Sequence, residues 1–393
     1  MDKKKVLVGM SGGVDSSAAA LILKEQGYEV CGCTLRLYDN SVLGEGYAEG
    51  GCCSLSDVDD ARSVCRKIGI DHVTLNFTDD FAKYVMKPFA DSYINGETPN
   101  PCIECNKYMK FGTMLRRAEL LGFDYIATGH YADVCYDNNR GRWLLKRSSD
   151  PRKDQTYVLY CMTQHQLEHT LFPLYGMEKT DVRRLAEEHG LVNSHKPDSQ
   201  DICFVPDGDY VSFIERYTGY KPVSGEYVFS DGKRAGEHSG IINYTIGQRK
   251  GLGVTFGKPV FVTDKDPLSN TVTLGDEAEL FRRTLFLRDF NLIIADKLSE
   301  PMNSAMPQRN YHQALQGNPP CLNTDCLTRK TRKKGIDPRY ASRCTNSPPW
   351  RCCSAIEARS HRNSGCCRSF SDLRCCCSAL SRRKQAQSGF CHK

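Results

Sequence analysis

Apolar runs and segments with helical spacing alternate along the first 130 residues. Short apolar stretches typical of buried parallel strands occupy residues 6–10, 28–38, 72–77 and 125–128. Segments with helical spacing, three of them closed by a glycine, occupy residues 16–26, 57–68, 79–93 and 107–121. Strands separated by helices of this length predict βαβ units, and therefore an α/β fold with a doubly wound parallel sheet.

The expected ligand site lies at one edge of that sheet. In open parallel sheets, ligands bind beyond the carboxyl ends of the strands. The turn Gly9–Ser17, the loop after Tyr38 and the pair Gly129-His130 each follow a predicted strand. We therefore expect these three segments to meet at the same edge.

After about residue 196 the pattern changes to short β segments broken by glycine and proline. These segments cover residues 227–234, 241–254, 259–266 and 271–277. The pattern predicts an α/β domain over residues 1–196 and a small β-rich central domain over 197–285, which are followed by residues 286–393.

The C-terminal region has a composition unlike the rest of the chain. Residues 303–393 carry 17 Lys and Arg against 4 Asp and Glu, hold 11 of the 21 Cys, and contain no Val. Residues 1–302 carry 36 basic against 43 acidic side chains, so the net charge of +6 averages an acidic body and a basic tail. Such a tail cannot build an apolar core, and we expect no native fold from about Gln313 onward.

Three origins of this tail are compatible with its composition. The abundance of Cys, Arg and Ser is expected of DNA translated in the wrong frame, which is the leading interpretation. A basic RNA-binding arm and a Cys-rich metal module are the alternatives. Adjacent cysteines without CxxC spacing argue against the metal module.

Neither a membrane span nor a signal peptide is predicted. The sequence contains no apolar run of 18 residues, and the apolar run Val6–Met10 is too short for a signal peptide. We therefore expect a cytoplasmic protein, with no membrane partner and with reduced cysteines.

The segment GMSGGVDSS, residues 9–17, joins the first strand to the first helix. Adjacent glycines permit positive φ angles, and the helix N-terminus behind them carries partial positive charge, so the loop suits a phosphate or pyrophosphate. It is neither a Walker loop nor a GxGxxG turn. Asp15 suits a metal ligand or a helix-capping carboxylate.

Three cysteines stand in polar surroundings. Cys102 and Cys105 form a CxxC pair in TPNPCIECN, and Cys203 follows in DSQDICFV. Zinc prefers four ligands, and no second close pair accompanies Cys203. Three cysteines suit thiolate chemistry or an iron–sulfur cluster with one open iron site. Cys31, Cys33, Cys65, Cys135 and Cys161 fit the ordinary fate of free cysteine, which is burial in the core.

Together these segments carry a family resemblance. GMSGGVDSS, TPNPCIECN, ATGHYA, KDQTYVLY, DSQDICFV and YTIGQRKGLG occur in the order found in the tRNA-specific 2-thiouridylases, members of the PP-loop ATP pyrophosphatases. The resemblance covers about residues 3–300. It implies that residues 1–196 are the ATP-binding and catalytic domain and that residues 286–393 begin as the remnant of a C-terminal β-barrel. It implies ATP-dependent thiolation of the wobble uridine of tRNA, by adenylation of its C2 oxygen and sulfur transfer from a cysteine persulfide. The products would be 2-thiouridine, AMP and pyrophosphate, and the partners would be tRNA and a persulfide donor protein.

The resemblance also implies roles for individual residues. Cys203 corresponds to the persulfide-bearing cysteine and Cys105 to the second, nucleophilic cysteine, and the two would end as a Cys105–Cys203 disulfide. The residues implied to bind ATP with Mg²⁺ are Gly9, Met10, Ser11, Gly12, Gly13, Val14, Asp15, Ser16, Leu35 and Gly129. Those implied to contact tRNA or the target base are Asn100, Pro101, Cys102, His130, Lys153, Asp154, Gln155, Arg309 and Tyr311.

The residue at position 102 departs from the family pattern. Many members have Asp where this chain has Cys102, and that Asp has been given an acid–base role, for which a thiol is a poor substitute. Cys102, Cys105 and Cys203 could instead hold a [4Fe–4S] cluster. The persulfide relay is the leading interpretation and the cluster is the alternative. A different PP-loop ATPase, or a non-catalytic remnant that binds tRNA and ATP, are the remaining alternatives.

Overall fold

The computed structural model describes residues 3–39, 55–198, 201–281 and 291–297, and the backbone of the short pairs 302–303 and 321–322. All of these residues belong to one compact unit, which comprises residues 1–281 and 287–356. A second unit, residues 282–286 and 357–393, lies outside the described residues, as does most of the predicted C-terminal region.

The first part of the chain alternates strands and helices. Its elements are β1 Lys5–Gly9, α1 Val14–Glu25, β2 Glu29–Arg36, α2 Leu55–Ile68 and β3 Asp71–Asn76. Each lies within a few residues of its predicted position. Glycines in the left-handed region close the two helices, with Gly27 at φ +91° and Gly69 at φ +68°.

Two longer helical stretches follow, and each contains a π-helical segment. The first is α3 Thr78–Phe81, a π segment Ala82–Met86 and α4 Lys87–Ile94. The second is α5 Pro101–Glu104, a π segment Cys105–Met114 and α6 Leu115–Leu120. This second stretch begins six residues before the predicted start at Lys107. Asn100 explains the difference, because its Oδ1 accepts a hydrogen bond from the Cys102 amide at 3.1 Å and Pro101 occupies the first turn.

Most of the elements between residues 125 and 218 are short. They are β4 Tyr125–Ala127, a hairpin of β5 Ala132–Asp137 and β6 Arg142–Arg147, a 3₁₀ turn Thr156–Val158, α7 Gln164–Glu168, β7 Thr170–Leu171, α8 Lys179–Glu188 and α9 Tyr210–Thr218. The hairpin pairs in antiparallel register, with Ala132 opposite Arg147.

One parallel sheet organises the first part of the chain. Its strand order is β3-β2-β1-β4-β7, and the pairs are all parallel. Val6 and Val8 pack into one apolar cluster and Leu7 into another. Successive residues of a strand point to opposite faces, so both faces of the sheet are covered. The predicted α/β fold with a parallel sheet is confirmed.

A smaller β sheet follows α9. Its strands are β8 Gly225–Phe229, β9 Arg234–His238, β10 Phe261–Asp266 and β11 Thr271–Gly275, in the order β10-β11-β8-β9. The prediction of a β segment over residues 241–254 is wrong, because these residues form a 3₁₀ turn at Ile241–Asn243 and then irregular backbone. Gly247, Gly251 and Gly253 adopt positive φ angles there, which extended strands do not accommodate.

The remaining short elements complete the described residues. A 3₁₀ turn covers Glu277–Leu280, and β12 Met302–Asn303 pairs antiparallel with β13 Cys321–Leu322. Within the described parts of the chain, no helix is both long enough and apolar enough to cross a membrane.

The cysteines predicted to be structural differ in burial. Cys33 and Cys65 are buried, whereas Cys31, Cys135 and Cys161 are only partly covered. Burial raises the pKa of the Cys33 and Cys65 thiols to about 12, so both are neutral at physiological pH.

Candidate active site at the carboxyl edge of the parallel sheet

The turn after β1 requires glycine at position 12. Gly12 has a φ of +73°, in the left-handed region. A Cβ atom at this position would lie 2.6 Å from the Asp57 carbonyl oxygen, closer than non-bonded atoms approach. Both the backbone angle and the neighbouring helix α2 therefore exclude a larger residue.

The loop then enters α1 through its N-terminus. Gly13 is the N-cap and is extended, and no side chain caps the helix there. The first i to i−4 bond of the helix runs from the Ser17 amide to the Gly13 carbonyl at 3.3 Å. The amides of Val14, Asp15 and Ser16 precede that bond, so they are not engaged within the helix and can donate to an anion.

Serine hydroxyls and one distant asparagine hold the loop in place. Ser16 Oγ donates to the Gly13 carbonyl at 3.0 Å and accepts from the Ser11 amide at 3.3 Å. Asn193 Nδ2 donates to the Gly12 carbonyl at 2.9 Å and to Ser17 Oγ at 2.8 Å. The asparagine side chain is buried, and its Oδ1 has no hydrogen-bond partner among the described residues.

The two other predicted ATP-binding positions lie on neighbouring strands or directly after them. Leu35 is a buried residue of β2, while Gly129 follows β4. A Cβ atom at position 129 would lie 2.7 Å from backbone atoms of Asp15 and Ser16. Gly129 therefore allows the chain after β4 to press against the start of α1, and the structure brings both positions to the expected edge.

Asp15 makes an ion pair instead of capping the helix. Lys179 Nζ lies 2.6 and 2.7 Å from its two carboxylate oxygens, and Tyr131 donates its hydroxyl to Asp15 Oδ1 at 2.8 Å. The expectation of a helix cap is wrong, because Asp15 already lies inside the helix. Both oxygens accept from the Lys179 ammonium group, so Asp15 would ligate Mg²⁺ only after Lys179 moves away.

The ion pair continues to Asp198. The Asp198 carboxylate accepts from Lys179 at 2.8 Å, from Lys153 at 2.9 Å and from Arg183 at 3.0 Å. Burial, the largest single influence, raises the pKa of Asp198, but the hydrogen bonds and charges of Lys179 and Lys153 outweigh it. Together they lower that pKa from 3.8 to about 2. Asp198 begins the segment DSQDICFV, so this network links the loop Gly9–Ser16 to the segment that carries Cys203.

The cysteine segments lie beside the same apolar cluster. Tyr38, directly after β2, donates its hydroxyl to the Cys203 carbonyl at 2.6 Å, which ties Cys203 to the carboxyl edge of the sheet. Cys105 is buried and belongs to the large apolar cluster on one face of the sheet, and Cys203 is partly buried and packs against it. Cys102 is exposed.

Several predicted tRNA-contacting side chains are engaged within the protein. Asn100 caps α5, as described above. The Asp154 carboxylate accepts from the Ser148 amide at 3.0 Å and from the Thr156 hydroxyl at 2.7 Å. Gln155 Oε1 accepts from the Tyr131 amide at 2.9 Å. These contacts give the three side chains a role in fixing loops, whatever else they bind.

His130 is placed in the interior. Only 8% of the residue is exposed, and its ring lies near Phe111 and Phe172. Burial, followed by the positive charge of Lys110, holds the pKa of His130 well below its usual value. The imidazole is therefore neutral, and its Nδ1 lies 2.7 Å from the Thr128 hydroxyl oxygen. Pro101 is likewise buried, whereas Arg309 and Tyr311 lie outside the described residues.

The site contains residues that sequence reasoning missed. They are Asn193, Lys179, Arg183, Tyr131 and Asp198. Asp198 belongs to the segment DSQDICFV that carries Cys203, and Tyr131 belongs to the segment ATGHYA, so their positions offered a signal. Asn193, Lys179 and Arg183 have no local signature, because they reach the site only through the fold.

Two family models match the chain. The model described as tRNA methyl transferase HUP domain covers residues 4–207, and the model described as tRNA methyl transferase PRC-barrel domain covers residues 211–276. The first coincides with the parallel sheet and its helices, and the second with the smaller β sheet.

Relatives of known name match over most of their length. The chain is 54% identical over 302 residues to the tRNA-specific 2-thiouridylase MnmA of Acetivibrio thermocellus, covering 77% of this chain and 84% of the relative. It is 52% identical over 299 residues to the protein of the same name from Clostridioides difficile, covering 76% of this chain and 82% of the relative. The chain belongs to the tRNA-specific 2-thiouridylase family. This confirms the family resemblance carried by the six sequence segments.

Solved structures align with the family fold only loosely. A 4-thiouridine synthetase in complex with RNA and ATP aligns with a TM-score of 0.35 and 17% identity, covering 55% of this chain and 50% of the other. The NMN synthetase of Francisella tularensis aligns with a TM-score of 0.33 and 15% identity, covering 56% and 79%. Similarity at this level carries no argument about function.

Proposed function

We propose that this protein is an ATP-dependent tRNA-uridine 2-sulfurtransferase. Identity above 50% to tRNA-specific 2-thiouridylases over more than four-fifths of their length is the observation that carries the proposal. The substrates are tRNA, ATP and a persulfide sulfur supplied by a donor protein. The site is the carboxyl edge of the parallel sheet.

The loop Gly9–Ser16 binds the phosphates of ATP. Amides at the start of α1 donate to the phosphate oxygens, and the partial positive charge of the helix N-terminus favours the anion. Leu35 and Gly129 line the adenosine side. The Lys179 ammonium group is paired with Asp15 beside this loop. The phosphates of ATP would compete with the Asp15 carboxylate for that ammonium group.

The first chemical step activates the uridine. The C2 oxygen attacks the α-phosphorus of ATP, pyrophosphate leaves, and the oxygen becomes bound to AMP. Because AMP is a far better leaving group than oxide, the C2 carbon becomes open to a sulfur nucleophile. The N-terminal amides of α1 stabilise the charge that develops on the departing pyrophosphate.

The second step transfers sulfur. The terminal sulfur of a Cys203 persulfide attacks C2 and AMP leaves. The Cys105 thiolate then attacks Cys203 Sγ, and the sulfur–sulfur bond breaks with its electron pair passing to the sulfur on C2. The products are 2-thiouridine and a Cys105–Cys203 disulfide, which an external thiol must reduce before another turnover. Packing of Cys105 and Cys203 around one apolar cluster supports this pairing.

Exposure of Cys102 disfavours the iron–sulfur alternative. A cluster held by Cys102, Cys105 and Cys203 would need all three thiolates to face one enclosed space. Cys102 is exposed, whereas Cys105 is buried and Cys203 is partly covered. No step is therefore assigned to a cluster, and Cys102 is proposed to contact the target base beside Asn100 and Pro101.

Serine substitutions at the three cysteines test the mechanism. In Cys203→Ser we expect pyrophosphate release and adenylated tRNA but no 2-thiouridine, because a hydroxyl cannot carry persulfide sulfur. Cys105→Ser is expected to stop after adenylation in the same way. The readouts are pyrophosphate release and mass spectrometry of tRNA nucleosides, with Cys135→Ser on the β5–β6 hairpin as the matched control.

Three other outcomes would overturn parts of the proposal. Full thiolation in both the Cys203 and the Cys105 variant would contradict the relay. Iron and visible absorption in anaerobically purified protein, lost together in Cys102→Ser, would establish the cluster. Absence of pyrophosphate release in the unaltered protein would identify a non-catalytic remnant that binds ATP or tRNA.

A further inference from the structure

A second constellation of ligating side chains lies on a different part of the molecule. Glu119 near the end of α6, His165 on α7 and His169 directly after α7 each direct one ligand atom inward, and these atoms lie within 4.8 Å of one another. His165 Nε2 is 2.6 Å from Glu119 Oε1, and the two imidazole rings are 4.4 Å apart between centroids. None of these residues belongs to the thiolation site.

We propose that Glu119, His165 and His169 form a binding site for a divalent transition-metal ion of the zinc type. Two imidazoles and one carboxylate are a ligand set for such ions, whereas Mg²⁺ and Ca²⁺ prefer oxygen ligands throughout. The site is independent of the proposed thiolation chemistry.

The spacing of the two histidines suits a shared ion. His165 and His169 are four residues apart, so a helical turn places them on one side of α7. The capping box between Thr163 and Gln166 fixes the start of this short helix. Glu119 comes from a separate helix, so a bound ion would join α6 to α7.

A hydrogen bond orients one of the rings for ligation. His169 Nδ1 lies 2.9 Å from the His165 carbonyl oxygen, which can only accept, so Nδ1 carries the proton. The lone pair is then on Nε2, available to a metal ion. A backbone carbonyl that fixes the tautomer in this way is a common outer contact of metal-bound histidine.

The distances are within reach of coordination. Ligands about 2.1 Å from a tetrahedral zinc ion are about 3.4 Å apart from one another. In the structure the three ligand atoms lie at most 4.8 Å apart, so each distance between them would have to shorten by about 1.4 Å at most to bind the ion. Glu119 and His165 are exposed and His169 is half-exposed, so side-chain rotation can supply it, and solvent can occupy a fourth position.

Cobalt titration of the full-length, metal-stripped protein tests the site. Cobalt bound to thiolates gives an intense near-ultraviolet charge-transfer band, whereas cobalt bound to nitrogen and oxygen gives only weak visible bands. This separates the proposed site from the many cysteines of the chain. We expect one cobalt ion of the nitrogen–oxygen type in the unaltered protein, bound about tenfold more weakly or not at all in His165→Ala and His169→Ala.

His189 supplies a matched control. Like His169 it follows a helix, its Nδ1 lies 2.9 Å from the carbonyl four residues earlier, at Leu185, and its Nε2 lies 3.2 Å from Glu25. His189 differs from His169 in one respect: no second histidine is among the described contacts of the His189–Glu25 pair. His189→Ala is therefore expected to leave the cobalt spectrum unchanged.

Thermal unfolding separates a lost ligand from a lost fold. In EDTA the midpoints of His165→Ala and His169→Ala should match the unaltered protein. Added zinc should raise the midpoint of the unaltered protein by more than that of either variant. Equal cobalt binding in the unaltered protein and both variants, or no cobalt of the nitrogen–oxygen type at all, would overturn the proposal and leave the Glu119–His165 contact as a hydrogen bond.

Discussion

Single residues set the geometry of the nucleotide loop. Gly12 supplies a left-handed backbone angle against the Asp57 carbonyl, and Asn193 fixes the Gly12 carbonyl from a distant part of the chain. Both act on the backbone whose amides would receive phosphate. Changes at either position should therefore affect ATP binding more than they affect the rest of the fold.

Gly12→Ala is expected to weaken ATP binding at least tenfold. The added methyl group would collide with the Asp57 carbonyl and also carry the strain of a positive φ angle. Gly27→Ala is the matched control, because Gly27 has a φ of +91° with no heavy atom within 4 Å of the added Cβ. Calorimetry of ATP binding is the measurement. Equal affinities in the two variants would mean that the loop does not bind the nucleotide.

Asn193→Ala should weaken the attachment of the loop Gly9–Ser17 to the protein interior. The substitution removes hydrogen bonds to Gly12 and Ser17 and leaves the buried Gly12 carbonyl without that donor, at a cost of about 1–3 kcal/mol in the free energy of unfolding. ATP affinity should fall in parallel. Asn95→Ala is the control, since the exposed Asn95 side chain donates to the Asp91 carbonyl of the helix that it follows. Urea unfolding and ATP calorimetry together test this prediction, and unchanged values for both would contradict it.

At the scale of elements, Asp198 joins helix α8 to two segments that carry no regular structure. Lys179 and Arg183 extend from α8, Lys153 from the loop after β6, and Asp198 itself precedes Cys203. One carboxylate thus links the proposed ATP-binding loop, through Lys179 and Asp15, to the predicted tRNA-contacting loop and to the segment that carries Cys203. Removing its charge should loosen all three.

The Asp198 link should be lost in acid. The native pKa is about 2 and the ordinary value is 3.8, so the unfolded chain binds a proton more readily in that interval. The contribution to stability is therefore complete above about pH 4 and disappears as the pH falls towards 2. Asp198→Asn should lower the free energy of unfolding by roughly 1–2 kcal/mol at neutral pH.

Urea unfolding between pH 2 and 7 measures this effect as a difference from the unaltered protein. That difference should shrink as the pH falls towards the native pKa of about 2. Asp201→Asn, at an exposed position in the same segment, is the control. A difference that does not change with pH would mean that Asp198 stabilises the protein by some means other than its negative charge.

At the scale of the whole molecule, the family relationship ends before the chain does. The second of the two family models ends at residue 276, and the alignment to the Acetivibrio relative covers 77% of this chain. The apolar residues that pack in the described clusters extend only to Ile293. The basic, Cys-rich region therefore contributes no described core residue.

Truncation after Asn303 should leave the body intact. We expect an unfolding midpoint and an ATP affinity close to those of the full chain, because the five-stranded parallel sheet, the four-stranded sheet and their described core lie upstream. The cut removes the two-residue strand β13, Cys321–Leu322. Affinity for tRNA should fall, and the full chain should show the steeper dependence of tRNA binding on salt, since residues 303–393 carry 17 basic side chains. Thermal unfolding and binding assays at several salt concentrations test this. A truncated chain that fails to fold would reveal a structural role for the region.

The sequence alone was sufficient for much of the fold and for part of the site. The order of strands and helices, the glycine-rich turn after β1 and the separate β-rich region follow from local patterns. The spacing of buried residues, the positions of glycines and the capping residues of helices are all local features of the sequence. The predictions for the start of α5 and for residues 241–254 were wrong. The Asn100 cap with Pro101 in the first turn decided the former, and several positive φ angles decided the latter, in each case against the apolar spacing.

Tertiary structure decided which distant side chains meet. Asn193 reaches the loop across 181 residues, Lys179 reaches Asp15 across 164, and Glu119 reaches His165 across 46. It also placed His130 in the interior, although the resemblance implies a tRNA contact for it. Local sequence encodes the conformation and burial of each element. Contacts between elements depend on how the parallel sheet orders its strands and where each helix crosses it, and no short stretch of sequence contains that information.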